Sequence, residues 1–407
     1  MKRLISGIIV CILLSGIFVS PEGNAVPKSL KQAEKLSGNF EKLEEARTKV
    51  SEALQDTTLS SDPHALYIAG KIEEGAFRHY HKLLGINQND PKVDRTLMAD
   101  ALLAAVDYYE RALAVDTITD KKGKRTIRYS GKIAEWLNSI TPSLYNAGVA
   151  YMNKRMFYPQ AYSAFKAYAL APTKYYFHDN ESVMSDSVQA NAWFYAGVMA
   201  YNAKEYAPAA ESFMIARRLG YPRKEVFLNE MSSLGFMAKS TTSRQDSLSR
   251  QITVLAGEGH RRFGLSEPLF LKKYIAGLVM ENQLDSALSV VNSTMATDSI
   301  PMLHAMKGAL LYTLGRNSEA ATEYLVAAAD KSADFTTLKE ASKSVAGEGI
   351  ALLTQVKGNK KSAQDRRKEI RDTFLTPALN FARRAAEIYP DDPDVANTIE
   401  TISYYMH

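Results

Sequence analysis

From Val26 onward, apolar residues, chiefly Ala, Leu and Tyr, recur at three- and four-residue spacing among charged and polar ones. That period is the mark of amphipathic helices. Sustained alternation is absent, as are Asn-Gly and Asp-Gly hairpin turns, so no strands are expected. The pattern predicts a charged helix over residues 29–55, a Ser60-Ser61-Asp62-Pro63 turn and a helix from about His64. A final helix is expected from Pro393 to about Met406, capping the stack. The fold class is therefore expected to be all-α.

The helices repeat. Trp193, Ala196 and Gly197 are followed by Ala209, Phe213 and Ala216. This W-x2-small-G, A-x3-F-x2-A spacing resembles a tetratricopeptide (TPR) unit, a helix–turn–helix. Gly197 and Ala209 lie 12 residues apart, a spacing that puts them on facing helices where small residues admit close backbone approach. Phe213 and Trp193 are expected to fill the space around that contact. Leu144, Ala147, Gly148, Tyr151, Ala161 and Phe165 make another unit, and Gly308, Gly315, Ala320, Tyr324 and Ala327 a further one. Half-units are read at Ala105, Tyr109 and Ala112 and at Ala378, Ala382 and Ala385, with a degenerate copy over 271–294. Such a unit cannot bury its apolar face alone, so neighbours must stack on it. The expectation is a TPR-type solenoid wound as a right-handed superhelix. The polar stretch 239–249 is taken as a turn between an N-terminal array, 26–238, and a C-terminal array, 250–407.

The chain opens with Lys2 and Arg3, an apolar run Leu4–Val19 and a small-x-small Gly23-Asn24-Ala25. This predicts a signal peptide over 1–25, cleaved after Ala25, and a protein facing the periplasm of a bacterial envelope. Cys11, the only cysteine, lies inside that run rather than at its end, which argues against lipidation. The mature chain would then hold no thiol chemistry. Its 48 Lys+Arg against 44 Asp+Glu leave a net charge of +4, too mild for nucleic acid. No later stretch is apolar enough to span a membrane.

The whole mature chain resembles the exported TPR proteins of the bacterial cell envelope. The likeness is best over Gly259–His407, through the 308–327 unit, a basic insertion, Tyr389-Pro390-Asp391-Asp392-Pro393-Asp394-Val395 and the terminal Glu400–Met406. Prolines that usually close such units are missing after Ala112, after Ala327 and after the 271–294 copy. The resemblance implies a non-catalytic adaptor or scaffold that holds a protein or peptide partner in a concave groove lined by the first helix of each unit. Projecting two first helices gives a wall of Tyr145, Asn146, Val149, Met152 and Asn153, then Asn191, Phe194, Tyr195, Val198, Tyr201 and Asn202. Asparagines donate and accept, so they suit the backbone of an extended peptide, with the aromatics gripping its side chains. An alternative reading has these aromatics packing between neighbouring units.

Other chemistry finds little support. His79 and His81 are two apart, whereas helical metal pairs need four, so no metal and no cofactor are expected. Gly257-Glu258-Gly259 and Gly347-Glu348-Gly349 follow no strand and are read as small residues at helix contacts. No nucleophile elbow or acid–base pair stands out, so the chain is not read as an enzyme. The basic insertions 117–135 and 357–371 are read as solvated loops. The rival functional reading is a glycan-binding component of an outer-membrane uptake system.

Overall fold

The computed structural model describes residues 27–86, 94–119, 125–152, 154–174 and 184–407, with backbone alone at 118, 119 and 125. The expected signal peptide with Cys11, residues 121–124 of the first basic insertion, and Asn153 lie outside the described residues. The described residues form two compact units, divided between Pro222 and Arg223. The division falls before the 239–249 stretch that the sequence marked as the joint.

In the first unit the described helices are α1 (Lys28–Leu36), α2 (Leu43–Leu54), α3 (Pro63–Ile86), α4 (Arg95–Val115), α5 (Ser130–Met152), α6 (Tyr158–Leu170), α7 (Asp186–Asn202) and α8 (Tyr206–Arg218). From α3 onward each packs on its sequence neighbours. The single helix expected over 29–55 is two, because the Asn39 side chain accepts from Glu41 N at 3.0 Å and restarts the chain after Ser37-Gly38. Two short strands, β1 (Ile118–Thr119) and β2 (Arg125–Thr126), pair antiparallel, a departure from the strand-free expectation. Asp116 holds the hairpin's exit. Only 3% exposed, its carboxylate accepts from the amides of Tyr129 and Ser130 and from Ser130 Oγ, each at 2.7 Å, and from Arg128 N at 3.3 Å.

In the second unit, α9 (Glu225–Ser240) and α10 (Gln245–Phe263) pack on one another, so the expected joint is an internal turn. There follow α11 (Pro268–Met280), α12 (Leu284–Met295), α13 (Pro301–Thr313), α14 (Asn317–Ala329) and α15 (Phe335–Gln355). Next, α16 (Lys361–Ile370) runs through a five-residue π segment, Arg371–Leu375, into α17 (Thr376–Ile388). Pro377 cannot donate to the carbonyl four residues back, and the wide turn falls where that bond is missing. Finally α18 (Pro393–Met406) is tied to α15 by Lys339, 2.9 Å from both Asp392 and Asp394. Arg371 Nε donates to Tyr405 O at 3.0 Å. The second basic insertion is thus largely helix, not loop. Arg367 within it closes the end of α15 by donating to the carbonyls of Val356 and Gly358.

One device recurs in both units: a glycine on one helix makes room for a ring or branched side chain on the next. A methyl group at 148 would stand 2.7 Å from the Phe165 ring, one at 197 would stand 2.7 Å from Phe213, and one at 308 would stand 3.0 Å from Tyr324. Gly70 faces Tyr109 and Gly259 faces Phe270 in the same way. The expected backbone approach of Gly197 to Ala209 is thereby refined: the aromatic ring, not the facing backbone, occupies the glycine's space. Trp193, Ala161, Ala209, Ala216, Ala320, Ala327, Ala378 and Ala385 are all buried around these contacts.

The turn inside three helix pairs is also shared. Lys204, Asn282 and Gly315 have φ of 65°, 57° and 74°. In each, the next residue's amide closes onto a carbonyl five back: Glu205 N to Ala200 O, Gln283 N to Leu278 O and Arg316 N to Leu311 O. This is the left-handed ending that frees a helix to reverse.

Candidate partner-binding surfaces

The expected wall lies on α5 and α7, and the structure divides it. Asn146, Val149 and Asn202 are exposed, while Tyr145, Met152, Asn191, Tyr195, Val198 and Tyr201 are partly covered. The aromatics form a continuous band within the first unit. Tyr145 meets Phe165, Tyr168 and Tyr195 edge-on, with centroids 5.2, 5.3 and 6.4 Å apart. Tyr195 also stacks on Phe165 at 5.6 Å. Burial raises the Tyr145 hydroxyl above the usual tyrosine range, helped by its neighbouring tyrosines. Tyr201 meets Tyr206 at 5.7 Å. Phe194 must be removed from the groove: it is 8% exposed, stacked at 4.3 Å on Tyr221 and packed on Phe213. The period of α7 marks a side of the helix, but not the Tyr221 ring that arrives from the turn after α8 to cover it.

A second surface, in the other unit, escaped sequence reasoning. Parts of α11, α13, α14 and α15 line a cleft of about 560 Å³. From α13 it is lined by Met302, Ala305, Met306 and Ala309, and the only sequence sign is the four-residue step between the two methionines. Tyr324, 4% exposed, lines it, and Lys272, Asp330, Asp334 and Glu340 stand around it. Burial first, then the Glu340 charge, pushes the Tyr324 hydroxyl up to about 12. Asp334 caps α15 by accepting from Thr337 N at 2.8 Å, which helps hold its carboxyl below the usual range.

Beside that cleft, but not lining it, Ser299 Oγ lies 3.0 Å from His304 Nε2, and His304 Nδ1 lies 2.6 Å from Glu323. The order is that of a hydrolytic triad. Lys307, however, also pairs with Glu323 at 2.7 Å, and the serine opens on an exposed turn rather than into a pocket. The chain of bonds therefore ties α13 to α14.

His79 stacks on Phe40 at 3.5 Å, and His81 leans on Phe77. Among the described residues no group of three or more His, Cys, Asp or Glu is placed to hold a metal ion. No described helix is long and apolar enough to cross a membrane. Gly257 and Gly259 lie against Tyr274 and Phe270 of α11, and Gly349 against Phe374 and Leu375.

No family model and no curated protein matches the chain. Among solved structures it is similar to a TPR repeats protein from Bacteroides fragilis, at 16% identity over 65% of this chain and 98% of that one, with a TM-score of 0.31. It is also similar to the TPR domain of P58(IPK), at 14% identity over 93% of this chain and 97% of that one, with a TM-score of 0.28. The helix pairs, their glycine–aromatic contacts and their shared left-handed turns make the described residues an all-α array of TPR-like units, apart from one short pair of strands.

Proposed function

We propose that this chain is a non-catalytic adaptor of the bacterial envelope that captures a protein or peptide partner on the first-helix surface of its N-terminal unit. The observation that carries the reading is that α5 and α7, whose Tyr145 and Tyr195 meet in a half-covered band, each expose an asparagine, Asn146 and Asn202. Amides able to donate and accept suit an extended backbone, and the adjoining rings offer apolar area that is already ordered. Export rests on the charged start, the Leu4–Val19 run and the small-x-small site at 23–25.

Capture from an envelope extract tests this, with wild type beside an Asn146→Ala plus Asn202→Ala variant. Both side chains are exposed, so the core is spared, whereas Tyr195→Ala would also remove stacking on Phe165. A partner held by wild type and lost in the folded variant supports the assignment. A partner held equally by both sinks this surface. Binding of glycans in place of proteins would transfer the reading to polysaccharide uptake.

A further inference from the structure

We propose that His260 is a proton-operated fastening between α10 and α12: its neutral ring holds the two helices together, and uptake of one proton at the inner nitrogen loosens α12 as the medium turns mildly acidic. The device lies in the second unit and does not depend on the adaptor reading.

The hydrogen bonds assign the ring its tautomer. His260 Nε2 lies 3.1 Å from Thr294 Oγ1, a bond that reaches past α11 to join helices not adjacent in sequence. The threonine hydroxyl has one hydrogen, and it donates that hydrogen to the Val290 carbonyl at 2.9 Å. Nε2 is therefore the nitrogen that carries the proton, and it donates to a hydroxyl lone pair. Nδ1 is left bare, buried and without a hydrogen-bond partner among the described residues. A second proton would bring a charge and a donor to a place that holds no acceptor.

The neighbouring helices do not relieve that charge. Glu225 and Glu230 on α9, Asp246 and Glu258 on α10, Asp285 on α12 and Asp298 beyond it are the carboxylates of the elements around the ring, and none of them bonds to it. The helix α11 brings only Lys272 and Lys273. Burial first, then the like charge of Arg261, holds His260 below the usual imidazole range. The unfolded chain therefore takes its proton first as pH falls, at about 6.5. Stability from this contact is whole above that value and is lost on the way down to the folded one.

The test joins two-bond proton–nitrogen NMR of the histidine rings to urea unfolding and hydrogen exchange of wild type and His260→Gln, from about pH 7.5 to about pH 5. Glutamine keeps an N–H donor for Thr294 and cannot take up the proton. In the wild type, His260 should show the Nε2–H tautomer and titrate below a histidine of the unfolded chain. Acid should lower the urea midpoint more in wild type than in the variant. It should also speed exchange within residues 284–295 at least about threefold more. An Nδ1–H tautomer, a His260 midpoint at or above that of the unfolded chain, or equal acid losses in wild type and folded His260→Gln would overturn the proposal. So would acceleration spread evenly over the second unit, since the fastening would then not act on α12. Should the glutamine variant fail to fold, the tautomer and midpoint of the wild-type ring still decide the matter.

Discussion

The Phe213 ring occupies the space that a side chain at Gly197 would need, with ring carbons 2.7 Å from where the first side-chain carbon would stand. Both residues are buried on neighbouring helices, so neither has room to yield. Gly197→Ala should therefore destabilise the chain by about 1–3 kcal/mol through overpacking, despite alanine's better helix propensity. Gly235, in α9, has nothing within 4 Å of the same position. Gly235→Ala should stabilise by roughly 0.5–1 kcal/mol. Thermal unfolding of the two variants should move in opposite directions, and a shared direction would contradict the steric account.

Lys204 adopts φ of 65° where the equivalent turn at 315 uses glycine. A side chain in that region costs roughly 1–2 kcal/mol. Lys204→Gly should recover about 1 kcal/mol, less what glycine loses in unfolded-chain entropy, whereas Gly315→Ala should destabilise by about 1 kcal/mol. Urea midpoints of the two variants check the sign.

Asp116 gathers four donors at the exit of the hairpin. Asp116→Ala leaves amides of Tyr129 and Ser130 without their acceptor and should cost roughly 2–4 kcal/mol. Hydrogen exchange should speed up first at residues 128–131, with α7 and α8 protected until global unfolding. Uniform acceleration across the unit would show that the carboxylate does not act locally.

Much of this was legible in the sequence, and the parts that were not share a cause. Gly148–Phe165 and Gly197–Phe213 each lie inside one helix pair, 17 and 16 residues apart, so a local pattern reveals them. The hairpin depends on Asp116 reaching residues 12 to 14 positions away, which no two-residue strand announces. Phe194 has the period of a wall residue, but Tyr221 covers it from the turn after α8. The cleft draws on four helices, α11, α13, α14 and α15, and only the Met302–Met306 step is local. The break at Ser37-Gly38-Asn39 was written in the residues, but the charged helical pattern on either side masked it.

Glu323 supplies a pH dependence. Burial opposes its charge, but hydrogen bonds from Lys307 and His304 outweigh that and hold the carboxyl below the usual glutamate range. The folded value lies under the unfolded one, so its contribution is complete above the ordinary value of about 4.3 and disappears as pH falls through the folded value. Lys307→Met removes one donor and leaves the burial, so acid-side loss of stability should begin at higher pH than in wild type. Glu323→Gln should remove this part of the profile. Urea unfolding over about pH 3 to 6 distinguishes these outcomes, and superimposable profiles for wild type and Lys307→Met would refute the linkage.

The wide turn at 371–375 has a consequence for how this end of the chain can change. Buried positions step through Leu375, Ala378, Ala382 and Ala385 by threes and fours, yet the preceding one is Ile370, five earlier. At ordinary pitch a residue five earlier would sit about 140° round the helix, on the outer side. The wider turn takes up that difference and lets Ile370 face inward while the lysines and arginines of α16 point elsewhere. Deleting one residue there would place Ile370 four before Leu375, on the same face at ordinary pitch, so the inward side would survive the loss of the wide turn. The segment thus acts as an absorber of one surplus residue, and the direction in which the cationic helix faces is kept by the width of this turn.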